Sequence, residues 1–93
     1  MSAWKIAFSD EVEKQLRRID KTTLLRINKF LVKRLSKAED PRALGKLLTG
    51  RLGQVWRYRV GDYHILCDIQ DEKNTVSVLN IGHRSKAYRK TDY

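Results

Sequence analysis

From Gln54 to Cys67, apolar and polar side chains alternate with a period of two. Trp56, Tyr58 and Val60 fall on one side and Arg57 and Arg59 on the other, the pattern of a strand with one buried face. Gly61-Asp62 follows, a two-residue loop whose leading glycine tolerates the positive φ of a type II′ turn. The return strand alternates in phase. Such a loop pairs Val60 with Tyr63, Arg59 with His64, Tyr58 with Ile65, Arg57 with Leu66 and Trp56 with Cys67, and cross-strand partners share a face. One face of the hairpin is then aromatic and aliphatic. The other gathers Arg57, Arg59 and His64 with no carboxylate among them.

Before the hairpin the period changes. Ala3 to Phe8 reads as a first strand with Trp4, Ile6 and Phe8 on one side. Ser9 suits an N-cap, and Asp10 and Glu11 complement the helix dipole in the first turn. The first helix is expected to run to about Ile19, with Val12, Leu16 and Ile19 inward and Lys14, Arg17 and Arg18 outward. Asp20 caps a second helix over 21–36, whose inner stripe is Leu24, Ile27, Leu31 and Leu35 with Phe30 beside it. The short connection makes an antiparallel helical hairpin.

Residues 37–52 are the least regular. Asp40-Pro41 suits a cap and first helical position, which predicts a short turn through Leu44. Gly45, Gly50 and Gly53 follow, with Lys46 and Arg51 between them, and no strand is predicted there. After the hairpin, a four-residue turn at Asp71-Glu72-Lys73-Asn74 leads to a last strand, Thr75 to Gly82. That turn sets Ile69 against Val76 and Cys67 against Val78 on the core side. Unbroken alternation then puts Leu66 against Leu79 and His64 against Ile81, and brings His83 out beside His64, Arg57 and Arg59. The expected fold is α+β: an N-terminal strand, a helical hairpin, then an antiparallel three-strand meander. The helices cover one sheet face and leave a basic face open opposite. Leu66, Leu79 and Ile81 are the apolar residues this scheme strands on the open face.

Composition narrows the function. The chain has 93 residues, read as one domain spanning 1–93, and carries 20 Lys+Arg against 11 Asp+Glu for a net charge of +9. That excess implies an acidic partner, nucleic acid before membrane. It is concentrated over residues 42–64, with Asp62 the only acid, and over the tail from His83. Cys67 is the one cysteine, on the apolar face of a strand, and reads as a core thiol in a reducing compartment. The two histidines and the cysteine lack metal-ligand spacing, so no metal and no small-molecule cofactor is expected. Neither a signal peptide nor a membrane-length apolar run is seen, which implies a cytoplasmic protein with no membrane partner.

The stretch Trp56-Arg-Tyr-Arg-Val-Gly-Asp-Tyr-His-Ile-Leu-Cys-Asp-Ile69, followed by Val78-Leu-Asn-Ile-Gly-His-Arg-Ser-Lys-Ala-Tyr88, resembles the RelE family of bacterial toxin–antitoxin toxins. The family's usual form is W-R-x-R-x-G-D-Y-R-I-x-Y, then I-G-H-R-x-x-x-Y. The resemblance extends to the opening strand, the helical hairpin and the Lys46-Leu-Leu-Thr-Gly50 approach. It implies a metal-independent endoribonuclease, an mRNA interferase that cuts mRNA in the ribosomal A site by attack of a ribose 2′-OH on the adjacent phosphate. It also implies a cognate antitoxin protein, and the ribosome and mRNA as partners.

Carried onto this chain, the resemblance makes Arg57, Arg59 and Arg84 the cations that stabilise the charged phosphorane. Tyr88 stacks on a base or acts as one, and His83 is a general acid–base candidate. Lys46, Arg51, Lys86, Arg89 and Lys90 are expected to hold RNA. His64 departs from the family's arginine. It gives up bidentate phosphate binding and gains a proton-transfer group. The superfamily also contains ParE-type gyrase poisons, so an inhibitor of DNA gyrase without nuclease chemistry stands as the alternative. A basic nucleic-acid-binding module that has lost catalysis is a third reading.

Overall fold

The computed structural model describes residues 3–50 and 53–83. Its elements run β1 (Lys5–Phe8), α1 (Asp10–Arg17), α2 (Lys21–Lys29) with a π-helical extension (Phe30–Leu35), a 3₁₀ turn (Pro41–Leu44), β2 (Lys46–Gly50), β3 (Gly53–Val60), β4 (Tyr63–Gln70), a second 3₁₀ turn (Asp71–Lys73) and β5 (Thr75–His83). The five strands form one sheet in the order β1-β5-β4-β3-β2. β2 to β5 are antiparallel, and β1 joins β5 in parallel. The fold is α+β, with the helices on one face.

The helices start where the sequence places them. Ser9 Oγ accepts the Val12 N–H at 3.1 Å and Asp20 Oδ2 accepts the Thr23 N–H at 3.0 Å, each satisfying an amide that has no partner inside the helix. The Thr23 bond favours the charged carboxylate and holds Asp20 below its usual range. The second helix changes pitch at Phe30, where Ser36 N–H bonds the Leu31 carbonyl five residues back. Val12, Ile19, Ile27, Leu31 and Leu35 all enter the core, as the helical spacing requires.

The sheet contributes Tyr58, Ile65, Cys67, Val76, Val78 and Ile81 to the same core, with Trp56, Val60, Tyr63 and Ile69 at its margin. Each fully buried aliphatic side chain is worth about 1.5–3 kcal/mol of transfer free energy, and this inner layer is what fixes helices to sheet. Tyr58 is buried with its hydroxyl donating to the Pro41 carbonyl at 2.8 Å, which ties the 3₁₀ turn onto the sheet. Arg42 in that turn forms a forked pair with Asp71, at 3.2 and 2.5 Å, and holds that carboxyl below its usual range. Cys67 is buried, and desolvation pushes its thiol up.

Two expectations change. Lys46–Gly50 is a strand, so the meander has four strands rather than three. Among the described residues it is an edge strand that pairs with β3 alone, and its sequence lacks the alternation that marks a strand with one buried face. The N-terminal strand lies against β5, tied by the Lys5 N–H to the Asn74 carbonyl at 2.9 Å. The second change is at β5. The turn and the first pairings are as expected, with Gln70 opposite Thr75, Ile69 opposite Val76 and Cys67 opposite Val78. A bulge then skips Leu79, so Leu66 meets Asn80, Ile65 meets Ile81 and Tyr63 meets His83. One inserted residue reverses the parity of all that follows. Ile81 therefore joins the core, Leu79 is 44% exposed at the bulge, and Leu66 alone stays on the far face, 1% exposed. No helix among the described residues is long and apolar enough to cross a membrane.

Candidate functional site

The β3–β4 hairpin has the register its two-residue loop demands. Gly61 has φ of 58°, Asp62 does not share the positive φ, and Arg59 stands opposite His64. β2 adds a cation to the same face, because Lys46 stands opposite Arg57. The face away from the helices thus carries two adjacent cross-strand pairs, Lys46 with Arg57 and Arg59 with His64. Cross-strand partners hold their Cβ atoms about 4.5–5.5 Å apart, a spacing at which like charges repel. Among the described residues, no carboxylate stands directly cross-strand from any of the four. Asp68, the acid on this side of β4, lies two positions past Leu66 and faces Ser77 on β5.

The four differ in exposure. Lys46 and Arg59 are exposed and Arg57 is half-buried, whereas His64 is 9% exposed, on the same sheet face as the buried Leu66. The Arg59 guanidinium is steered by its own turn, with Nε donating to the Gly61 carbonyl at 3.3 Å. That leaves its terminal nitrogens as donors for an anion. Two permanent cations, an ammonium and an imidazole so disposed can bind a phosphate and offset negative charge that grows on it.

His83 is a correction. Its expected place beside His64 assumed unbroken alternation. The bulge at Leu79 sets it opposite Tyr63 instead, with the ring centroids 5.6 Å apart and the planes nearly perpendicular. It lines a cleft of about 300 Å³ on the helix side with Asp20, Thr23, Arg26 and Tyr63. The residue opposite His64 is Gly82. Arg51, Arg84, Lys86, Tyr88, Arg89 and Lys90 lie outside the described residues.

Sequence reasoning overlooked the basic side of the second helix. Arg26, Lys29, Lys33 and Arg34 recur at helical spacing and line a groove with Arg59. Their spacing was the available signal.

Residues 6–88 match the family described as "ParE toxin of type II toxin-antitoxin system, parDE". Toxin RelG of Mycobacterium tuberculosis is 29% identical over 87 residues, covering 94% of this chain and 98% of that protein. Among solved structures, the toxin–antitoxin complex RelBE2 of M. tuberculosis matches with a TM-score of 0.81 at 28% identity, over 91% of this chain and 95% of that one. The intact E. coli RelBE toxin–antitoxin complex matches with a TM-score of 0.70 at 25% identity, over 87% and 96%. The family match spans nearly the whole chain, and the solved relatives share its sheet and helices: the chain belongs to the RelE/ParE superfamily of toxins of type II toxin–antitoxin systems.

Proposed function

We propose that this toxin is an mRNA interferase, a ribosome-dependent endoribonuclease that cuts mRNA in the A site and is held inactive by a cognate antitoxin. The observation that carries the reading is the pair of cross-strand pairs, Lys46 with Arg57 and Arg59 with His64, on one sheet face. Placing Lys46 directly opposite Arg57 costs stability unless an anion lies between them. The scissile phosphate is such an anion.

In this reading the ribose 2′-oxygen attacks the adjacent phosphorus as its proton leaves. The bond to the 5′-oxygen breaks, and the products are a 2′,3′-cyclic phosphate and a 5′-hydroxyl end. Arg57, Arg59 and Lys46 bind the non-bridging oxygens and stabilise the phosphorane, whose charge exceeds that of the ground state. An imidazole changes protonation near neutral pH, so His64 suits proton transfer beside them, with Arg84 and Tyr88 completing the set. His83, on the other side of β5, falls outside it. Toxin–antitoxin complexes among the solved relatives support the antitoxin as partner.

The test is a cell-free translation reaction on a defined mRNA with purified protein and primer extension. New 5′ ends inside codons, seen only with ribosomes, support the reading. Absence of such ends with folded protein overturns it. The matching family is described by its ParE toxin, which favours one second reading, a gyrase inhibitor without nuclease chemistry. A supercoiling assay distinguishes it: topoisomerase inhibition with no new RNA ends is its signature.

A further inference from the structure

A second concentration of cations lies away from the sheet face just described. Helix α2 with its π-helical extension, and the end of β3 with Gly61 of the following turn, enclose a groove of about 420 Å³. Arg26, Lys29, Lys33 and Arg34 line its helix wall and Arg59 its strand wall. The groove spans two elements, because the Arg26 guanidinium lies over the β3–β4 turn, with Nη1 3.4 Å from where a Cβ on Gly61 would stand. Its floor is Phe30 and Val60, and Arg34 stacks on the Phe30 ring at 5.8 Å. Among the described residues the carboxylate ion pairs are those of Arg42 with Asp40 and Asp71, so no described carboxylate lies within ion-pair distance of these five cations.

We propose that this groove binds the phosphate backbone of an RNA strand outside the cleavage site. Its charge calls for a polyanion, and its hydrogen-bonding character selects which one. Every polar side chain in the lining is a donor and none is an acceptor. A peptide backbone brings N–H groups that need acceptors, whereas a phosphodiester backbone brings acceptors alone. An acidic protein segment therefore fits less well than RNA. Arg59 belongs to both surfaces, since its register is that of the Arg57 face while the residue also lines the groove. An RNA strand held by α2 can pass the end of β3 at Arg59 and continue onto the face of Arg57 and Lys46. The choice of RNA over DNA rests on the mRNA interferase reading; the groove itself does not.

The test is fluorescence anisotropy of a labelled, unstructured RNA oligonucleotide against salt concentration. Three proteins are compared: the wild type, a Lys29→Gln, Lys33→Gln, Arg34→Gln variant, and a Lys14→Gln, Arg17→Gln, Arg18→Gln variant with the same charge loss on α1. Arg59 is left in place because it also serves the cleavage site. Thermal melts confirm that each variant is folded. Each lost phosphate contact on a single strand lowers the slope of log affinity against log salt by about 0.7, so the groove variant is expected to lose about 2 in slope and roughly tenfold or more in affinity. The α1 variant is expected to stay within about twofold, the groove rather than overall charge being the determinant.

Equal losses in both variants, or none in the groove variant, overturn the proposal. So does a groove variant that loses poly-glutamate binding but keeps RNA, which assigns the groove to an acidic protein. Groove-dependent RNA binding without ribosome-linked cleavage by the wild type leaves the groove standing and removes the nuclease reading. Cleavage by the wild type with groove-independent binding does the reverse.

Discussion

The Ile81 N–H donates to Gln15 Oε1 at 2.8 Å, joining residues 66 positions apart. The other end of the same carboxamide donates to Asn80 Oδ1 at 2.6 Å. Gln15 projects from α1 onto the bulge of β5 and satisfies an amide beside the interrupted ladder. It thereby holds the register that sends Ile81 into the core and His83 to the side of Tyr63. Gln15→Ala leaves a part-buried N–H without a partner and is expected to cost about 1–3 kcal/mol in urea unfolding. An unchanged midpoint would show that the bulge stands without Gln15.

Tyr58 is the second long-range tie. Tyr58→Phe removes the donor to the Pro41 carbonyl while keeping the ring, and about 1–2 kcal/mol of stability should go with it. The approach of Gly45 to the same ring is testable separately. A Cβ there would stand 2.7 Å from Tyr58 Cε1 and 2.9 Å from the Arg57 carbonyl oxygen. Gly45→Ala is therefore expected to cost about 1–3 kcal/mol by overpacking, read by the same unfolding measurement.

Gly61 has a backbone φ of 58°, which an L side chain adopts at a cost of roughly 1–2 kcal/mol. Gly61→Ala should lower stability by about that amount, and Gly61→Asn, whose side chain tolerates this region better, by less. Equal effects for both would place the cost in contacts with Arg26 rather than in backbone conformation.

Burial sets the alkaline limit. Desolvation raises the Cys67 thiol above its ordinary 9.0 and the Tyr58 phenol above its ordinary 10.0. Both are folded-state values lifted above the unfolded ones, so the stability they contribute is present below pH 9 and is lost as pH rises. From about pH 9 the unfolded chain sheds a thiol proton that the folded chain keeps, and stability falls by about 1.4 kcal/mol per pH unit on that account. Cys67→Ala should lower stability at neutral pH but flatten its decline between pH 9 and 10. A parallel decline in the variant would exclude the thiol as the cause.

On the proposed cleavage face, Arg57→Ala and Arg59→Ala should each reduce ribosome-linked cleavage by about 10²–10³-fold, the usual loss when one charge-stabilising donor is removed. Melting should change little for the exposed Arg59. Full cleavage by both variants would move the chemistry away from this face.

Where structure is decided locally, the sequence alone was enough. A two-residue loop opened by glycine allows one register, so the opposition of Arg59 to His64 and Tyr58 to Ile65 was readable from alternation, and the caps at Ser9 and Asp20 were readable from their own side chains. What the tertiary structure decided depends on partners distant in sequence. Lys46–Gly50 is a strand because β3 offers it a ladder, and it completes the site by bringing Lys46 to Arg57. His83 faces Tyr63 rather than His64 because Leu79 is extruded at a bulge joined to a glutamine on the first helix. The side-chain period of a strand is two, so one extra residue inverts every position beyond it, and no local pattern in β5 reveals a hydrogen bond supplied from α1.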